Sequence, residues 1–537
     1  MSATQPGWQA TSKTGALAGG GARAVNAGLH ILEQDGNAAD AAAATIFALN
    51  ITDHGDCSIG GEVPLLIYDA KTRRVKSLSG QGRAPLSQTA IDWYLAKGIP
   101  AGDIKMAPVP SVVDLCITTL IHYGTMSFAQ VIAPTLALLD EGREEWHPRL
   151  AVTLRLLVEE EGLTSGSREE KLQAACDRFY GRHPSRNDVA EDLEAFYIER
   201  GGFLRRADLA AHRTTIEEPV SAEYRGYTVY KCGPWTQGPY LCQALRLLEG
   251  FDLKAMGHNS ADYVHVVTEA LKLAMADRDE YYGDPAFVDV PMKELLSEAY
   301  TQLRRPLIDL AQASQEARPG DPRNLKALKG PGVFRPGPGG TTTCVVADRW
   351  GNVVSATPSA NVHKENPMGG KAGVSFGNRL RSLNTTPGHP NCIQPGKRPR
   401  ITLTPTLVLK GGKPVLAISV AGGDLQDQAT LNLLLNHIDF GQLPETAVRT
   451  PRFATYHHQD SFDPNPNRPQ AFLKAGSLAI NDRIDPKVRE DLAKRGHQVE
   501  AKTAHIATPV MLYIDPAGVF HAAGDPEAGR HAAGLES

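Results

Sequence analysis

The apolar positions change period part-way along the chain, from helical spacing to the two-residue alternation of strands. Apolar residues over 24–32 recur at helical spacing, Gly36 supplies the stop, and Asn37 caps a second helix over 38–49. A glycine turn at Gly60-Gly61 then leads to an apolar strand over 64–68. Residues 110–142 are helical again, and 146–200 form a strongly charged, mostly helical stretch. Alternation over 223–230 predicts strands, and a loop at 233–239 opens a helix near Tyr240. Ser260 caps the clearest helix, 261–282, which Gly283 closes. Beyond residue 340 strands and hairpins take over, at 343–347 with 353–357, 406–410 with 414–420, and 509–514 with 519–521. A helix from about 427 to 437 interrupts them after Gly422-Gly423. Helices on both sides of strands predict packed sheets covered by helices.

The change of character falls at Thr341. A Pro/Gly-rich approach, within the boundary segment 315–340, meets Thr341-Thr342-Thr343-Cys344-Val345-Val346. Pro and Gly do not sustain a regular element, whereas Thr and Val favour a pleated strand. An accessible peptide bond thus precedes a hydroxyl residue. Cutting it leaves a nucleophile and a free α-amine on one residue, and an α-amine titrates near pH ~8. The bland reading is that three threonines merely open a strand.

Composition narrows the choice of partners. The 537 residues are 42% apolar and 22% charged, with a net charge of -4, so neither nucleic acid nor an anionic membrane is an expected partner. No apolar run approaches the ~20 residues of a spanning helix, and no secretory signal opens the chain. Seven scattered cysteines, never spaced as CxxC, read as reduced thiols of a cytoplasmic protein. No metal or other cofactor is expected, although His457-His458-Gln459-Asp460 is weighed as a metal site. Gly373-Val374-Ser375-Phe376-Gly377 also satisfies the GxSxG pattern of serine hydrolases, which requires a helix directly after the serine.

The ordered motifs carry a resemblance. They include Gly36-Asn37-Ala38-Ala39-Asp40, Ser58-Ile59-Gly60-Gly61, Gly82-Arg83-Ala84-Pro85, Ala276-Asp277-Arg278, Thr341-Thr342, Lys397-Arg398-Pro399, Thr404-Pro405 and Gly422-Gly423. In this order the chain resembles γ-glutamyltransferase-family proenzymes, which are N-terminal-nucleophile hydrolases, over nearly its whole length. The resemblance implies an α+β, four-layer αββα sandwich and self-cleavage between Gly340 and Thr341. It also implies two tightly associated segments, 1–340 and 341–537, that make one folded unit of two subunits, with a higher oligomer as a further possibility. Thr341 takes the place of the nucleophile, Ser359 of an assisting hydroxyl, Gly422 and Gly423 of the oxyanion hole. Arg83 takes the place of the carboxylate-binding arginine, with Asn361 and Thr402 as substrate contacts.

Two positions depart from that pattern. Where γ-glutamyl enzymes hold the donor's ammonium with an amide or carboxylate and an aspartate, this chain has Arg379 and Ser382. A cation there disfavours an ammonium. The expectation is therefore a self-processing amidohydrolase of a small acidic acyl group, in the acylase-like and small-amide-hydrolase branch. The alternatives are a true γ-glutamyltransferase or glutathione hydrolase, and a non-catalytic binding homologue.

Overall fold

The computed structural model describes residues 6–327, 340–360 and 370–536. Two seven-stranded antiparallel sheets lie face to face. The first runs His531–Gly534, Gly15–Gly19, Cys344–Asp348, Val353–Ala356, Val63–Asp69, Arg74–Gly80, Ile216–Glu217. The second runs Gln9–Ser12, Phe520–Gly524, Thr508–Ile514, Lys413–Ala421, Thr406–Lys410, Tyr227–Lys231, Val220–Tyr224. Both sheets draw strands from either side of Gly340.

The strand after Thr341 shows how the layers form. Side chains alternate across a strand, so Val345 and Ala347 turn inward with Ala16 and Leu66 to meet Leu407, Ala417 and Leu512 of the second sheet. Val346 turns outward, with Leu17, Leu65 and Val354, onto the helices Ala22–Glu33, Ala38–Thr52 and Val112–Tyr123. On the far side Val229, Val408, Ile418 and Met511 pack against Pro239–Leu248, Ala261–Tyr281 and Gln426–Ile438. The result is the four-layer αββα sandwich. Because both faces of a strand are covered, Cys344–Asp348 is buried throughout.

Several boundaries differ from the periodicity. The helical pattern over 110–142 is two helices, Val112–Tyr123 and Phe128–Asp140, because Gly124 ends one and a Ser127/Gln130 capping box starts the next. The charged stretch 146–200 is three helices, His147–Leu163, Arg168–Phe179 and Asp188–Glu199. The strand Gly15–Gly19 was not expected at all: its GALAG sequence is small and buried on both faces, so it shows no alternation. A small third sheet, Phe453–Ala454, Ser477–Asn481 and Gln498–Lys502, was also not expected. Of the boundary segment, 320–327 forms a short hairpin and 328–339 lies outside the described residues.

The fold brings the segment that leads into Cys344–Asp348 close to the first helix. Gly20 donates its N–H to Thr343 O at 3.2 Å. A Cβ on Gly20 would sit 2.0 Å from Asp53 Oδ2 and 2.3 Å from Thr342 Oγ1, so only glycine allows this approach. Asp53 fills the same gap, accepting from Gly21 N at 3.0 Å and from Thr342 Oγ1 at 2.7 Å.

Candidate active site

Thr341 is buried beside the first-sheet strand it precedes. Its hydroxyl donates to the carbonyl of Gly340, its own preceding residue, at 2.7 Å. Ser359, which follows the strand Val353–Ala356, donates to the same carbonyl oxygen at 2.6 Å and lies 3.2 Å from Thr341 Oγ1. Two hydroxyls therefore converge on the carbonyl of the one peptide bond that separates residues 340 and 341. Arg530, from the turn before the last strand, donates to Thr341 O at 3.3 Å and to Thr508 Oγ1 at 3.0 Å. It fixes the backbone of Thr341 from the other side.

Behind Ser359 lies a buried ion pair. Arg379 donates through Nη2 to Ser359 Oγ at 2.7 Å, through Nε to Glu62 Oε1 at 2.6 Å, and reaches Thr402 Oγ1 at 3.4 Å. Its guanidinium stands 5.1 Å from the Phe462 ring, within cation–π range. Glu62 and Arg379 are both 0% exposed. Burial pushes the Glu62 carboxyl up, against the pull of Arg379. The charge expected at Arg379 is thus answered within the protein by an acid 317 residues away.

A cavity of about 780 Å³ lies elsewhere, between two outer helices, and is lined by no site residue. The cavity that matters here has a volume of about 600 Å³ and is lined by Gly340, Thr341, Gly422, Gly423, Asp460 and Phe462, among others. Gly422 and Gly423 follow the second-sheet strand Lys413–Ala421 and have φ of +148° and +59°. Left-handed backbone of this kind favours glycine. Gln426, its amide nitrogen turned to Val420 O and Thr402 O, accepts from Gly423 N at 3.3 Å. Asp424 anchors the turn: Arg278 donates to it at 2.6 Å, and Ser461 bonds it through both hydroxyl and backbone. Burial alone would raise the Asp424 carboxyl, but Arg278, His458 and Arg400 hold it well below the usual carboxylate range. Asp460, facing the cavity, goes the other way: burial, then Asp424, push its carboxyl up to about 6.

The remaining sequence-expected residues are spread around this centre. Ser382 shares a 3₁₀ turn with Arg379, and its buried hydroxyl has no hydrogen-bond partner among the described residues. Arg83 is half-buried and donates to Gly396 O at 3.3 Å; among the described residues it has no acid partner. Burial and the neighbouring Arg398 lower its pKa. Arg83 does not line the Thr341 cavity. Asn361 lies outside the described residues.

Glu62, Arg530 and Asp424 were not anticipated, and Asp460 was named only within the metal reading of His457-His458-Gln459-Asp460. Glu62 alone had a nearby signal, as an acid directly after Gly60-Gly61 at the mouth of an apolar strand. After Ser375 comes a loop and then the 3₁₀ turn Arg379–Ser382, so the GxSxG segment lacks the helix its chemistry requires. His457 is bound to Glu316 O at 3.0 Å and to Gly476 N at 2.9 Å. Among the described residues no group of three or more His, Cys, Asp or Glu side chains is placed to hold a metal ion. No described helix is long and apolar enough to cross a membrane, and all seven cysteines are free and buried.

Comparison with known proteins gives this geometry a context. The glutathione hydrolase proenzyme of Bacillus subtilis (strain 168) is 32% identical over 477 residues, covering 81% of this chain and 80% of that one. The solved structure of LmbA2991HD superposes with a TM-score of 0.87 at 31% identity, covering 100% of both chains. That of a cephalosporin acylase from Bacillus halodurans superposes with a TM-score of 0.80 at 25% identity, covering 98% of this chain and 97% of that one. The gamma-glutamyltranspeptidase family model matches residues 24–145 and 145–535, and the chain belongs to that family of hydrolases and acylases.

Proposed function

We propose that this chain is a self-processing amidohydrolase that acts through an N-terminal threonine. The observation that carries the reading is the approach of Thr341 Oγ1 to within 2.7 Å of Gly340 O, at a cavity shared with Gly422 and Gly423. Cleavage before Thr341 divides the chain into segments 1–340 and 341–537, whose strands interleave in both sheets and so stay together as a heterodimer. Thr341 then attacks an amide carbonyl while its α-amine, with a pKa near ~8, takes the hydroxyl proton. Backbone N–H groups at Gly422-Gly423, that of Gly423 released from its 3.3 Å bond to Gln426, receive the developing oxyanion. The amine leaves, and water releases the acid from the threonyl ester.

The preferred acyl group is a small acid without an α-ammonium. Arg83 lies outside the Thr341 cavity, so this preference rests on where an ammonium would have to bind. Arg379 and Ser382 supply no acid to receive an ammonium. Replacing Thr341 tests the reading: Thr341→Ala should remain a single chain without amidase activity, whereas Thr341→Ser, which keeps a hydroxyl, should retain both cleavage and measurable turnover. A Thr341→Ala chain that hydrolyses amides at the wild-type rate would overturn it.

A further inference from the structure

Glu62 is a carboxylate buried directly after a glycine turn, with 0% exposure and one oxygen, Oε2, lacking a partner among the described residues. Burying a charge this way costs stability unless its partner is well placed, and such pairs are often replaceable by apolar residues without loss. Its position relative to the cleavage bond explains more. Glu62 and Ser359 lie opposite each other, each N–H donating to the other's carbonyl at 2.9 Å. Arg379 spans the two side chains, bonding Glu62 Oε1 at 2.6 Å and Ser359 Oγ at 2.7 Å.

A guanidinium can only donate. Ser359 Oγ therefore accepts from Arg379 and has one proton left to give. Two acceptors are in reach, Gly340 O at 2.6 Å and Thr341 Oγ1 at 3.2 Å. The shorter contact is to the carbonyl. The chain Glu62, Arg379, Ser359 thus ends on the oxygen that becomes negative if Thr341 attacks Gly340.

We propose that Glu62 is a positioning residue for self-cleavage, holding Arg379 so that Ser359 presents its proton to the Gly340 carbonyl oxygen. This rests on the proposed cut before Thr341. In that step Thr341 Oγ1 bonds to the Gly340 carbonyl carbon. The former carbonyl oxygen takes the electron pair and is held by the Ser359 proton, which Arg379 polarises. The oxygen pair returns, the bond from Gly340 C to Thr341 N breaks, and the hydroxyl proton ends on Thr341 N. Water hydrolyses the resulting ester, leaving a Gly340 carboxylate and restoring the Thr341 hydroxyl beside its free amine.

The test is a double-mutant cycle on the cleavage rate of freshly translated full-length chain, followed by the appearance of the two fragments. Glu62→Gln and Ser359→Ala should each slow cleavage by about tenfold or more. The double variant should be no slower than Ser359→Ala alone, because Glu62 acts through that hydroxyl. Ser359→Thr, which keeps the hydroxyl, should cut at close to the wild-type rate. A residue needed only for packing would instead slow the wild type and the Ser359→Ala background by the same factor. That result, or an unchanged rate for Glu62→Gln, overturns the proposal. If Glu62→Gln does not fold, Arg379→Lys takes its place in the same cycle with the same two outcomes. A wild-type chain that never cuts overturns the proposed function and this proposal together; one that cuts while the effects multiply overturns only this one.

Discussion

Glu62 and Ser359 face each other across a bridge of two backbone hydrogen bonds, both 2.9 Å long. Opposed residues of such a pair send their side chains to the same face of the ladder. The acid and the hydroxyl are therefore fixed relative to one another by main chain, and Arg379 needs only to fill the space between them. That space opens on Gly340 and Thr341, which places a buried cation, bonded at each of its three nitrogens, one hydroxyl away from the candidate scissile carbonyl.

The paired glycines next to that carbonyl should be sensitive to substitution. A Cβ on Gly423 would meet its nearest neighbour, Phe462, at an ordinary 3.6 Å, but the φ of +59° strains any branched residue. The backbone would relax away from this conformation and carry its N–H with it. Gly423→Val should lower kcat by a factor on the order of 10², the scale of losing one oxyanion donor. Steady-state kinetics on folded protein checks this; activity within a few-fold of wild type would place the oxyanion donors elsewhere.

Asp460 should impose a pH dependence on stability. Its carboxyl is raised to about 6 in the folded protein by burial and by Asp424, against an ordinary value near ~3.9 when unfolded. A raised acid contributes stability that is fully present below the unfolded value and is lost as pH rises through the folded one. Asp460→Asn never ionises, and its amide oxygen can still accept from Phe462 N, now bound to Asp460 Oδ1 at 2.8 Å. The variant should therefore match the parent near pH 4 and exceed it by about 1–3 kcal/mol above pH 7. Thermal unfolding of both, measured in the uncut Thr341→Ala chain, tests this. A difference that stays constant between the two pH values would contradict it.

Substrate preference separates the acylase-like reading from an ordinary γ-glutamyl one. A side-by-side assay of glutaryl- and γ-glutamyl-p-nitroanilide should favour the glutaryl compound in kcat/KM by tenfold or more, about 1.4 kcal/mol of differential binding. The combined Arg379→Gln and Ser382→Asp change should shift the ratio toward the γ-glutamyl compound. It also breaks the pair with Glu62, so folding has to be checked alongside. A clear wild-type preference for the γ-glutamyl donor would replace the proposed substrate class.

Much of the fold was legible because long elements carry strong periodicity. The helix Ala261–Tyr281 and the strands around Val345 and Leu416 lie where apolar spacing, caps and turns put them. The strand Gly15–Gly19 escaped because a run of small residues buried on both faces has no period. Thr341 stood out through local chemistry, a flexible approach meeting a hydroxyl, and Gly422-Gly423 through their place before a helix. Glu62 did not, because its meaning depends on Arg379, and nothing local to either residue signals a pairing across 317 positions. Arg530 was hidden for the same reason, since only folding brings it to Thr341 O, and Asp424 because its partners Arg278 and Ser461 lie far from it in sequence.

The central claim, that the chain cuts itself before Thr341, is tested most directly by the intact mass of the purified wild-type protein under denaturing conditions. The account predicts two polypeptides, one ending at Gly340 and one of residues 341–537 beginning with an unmodified threonine. A single polypeptide of 57.8 kDa that turns over amide substrate at full rate would contradict it.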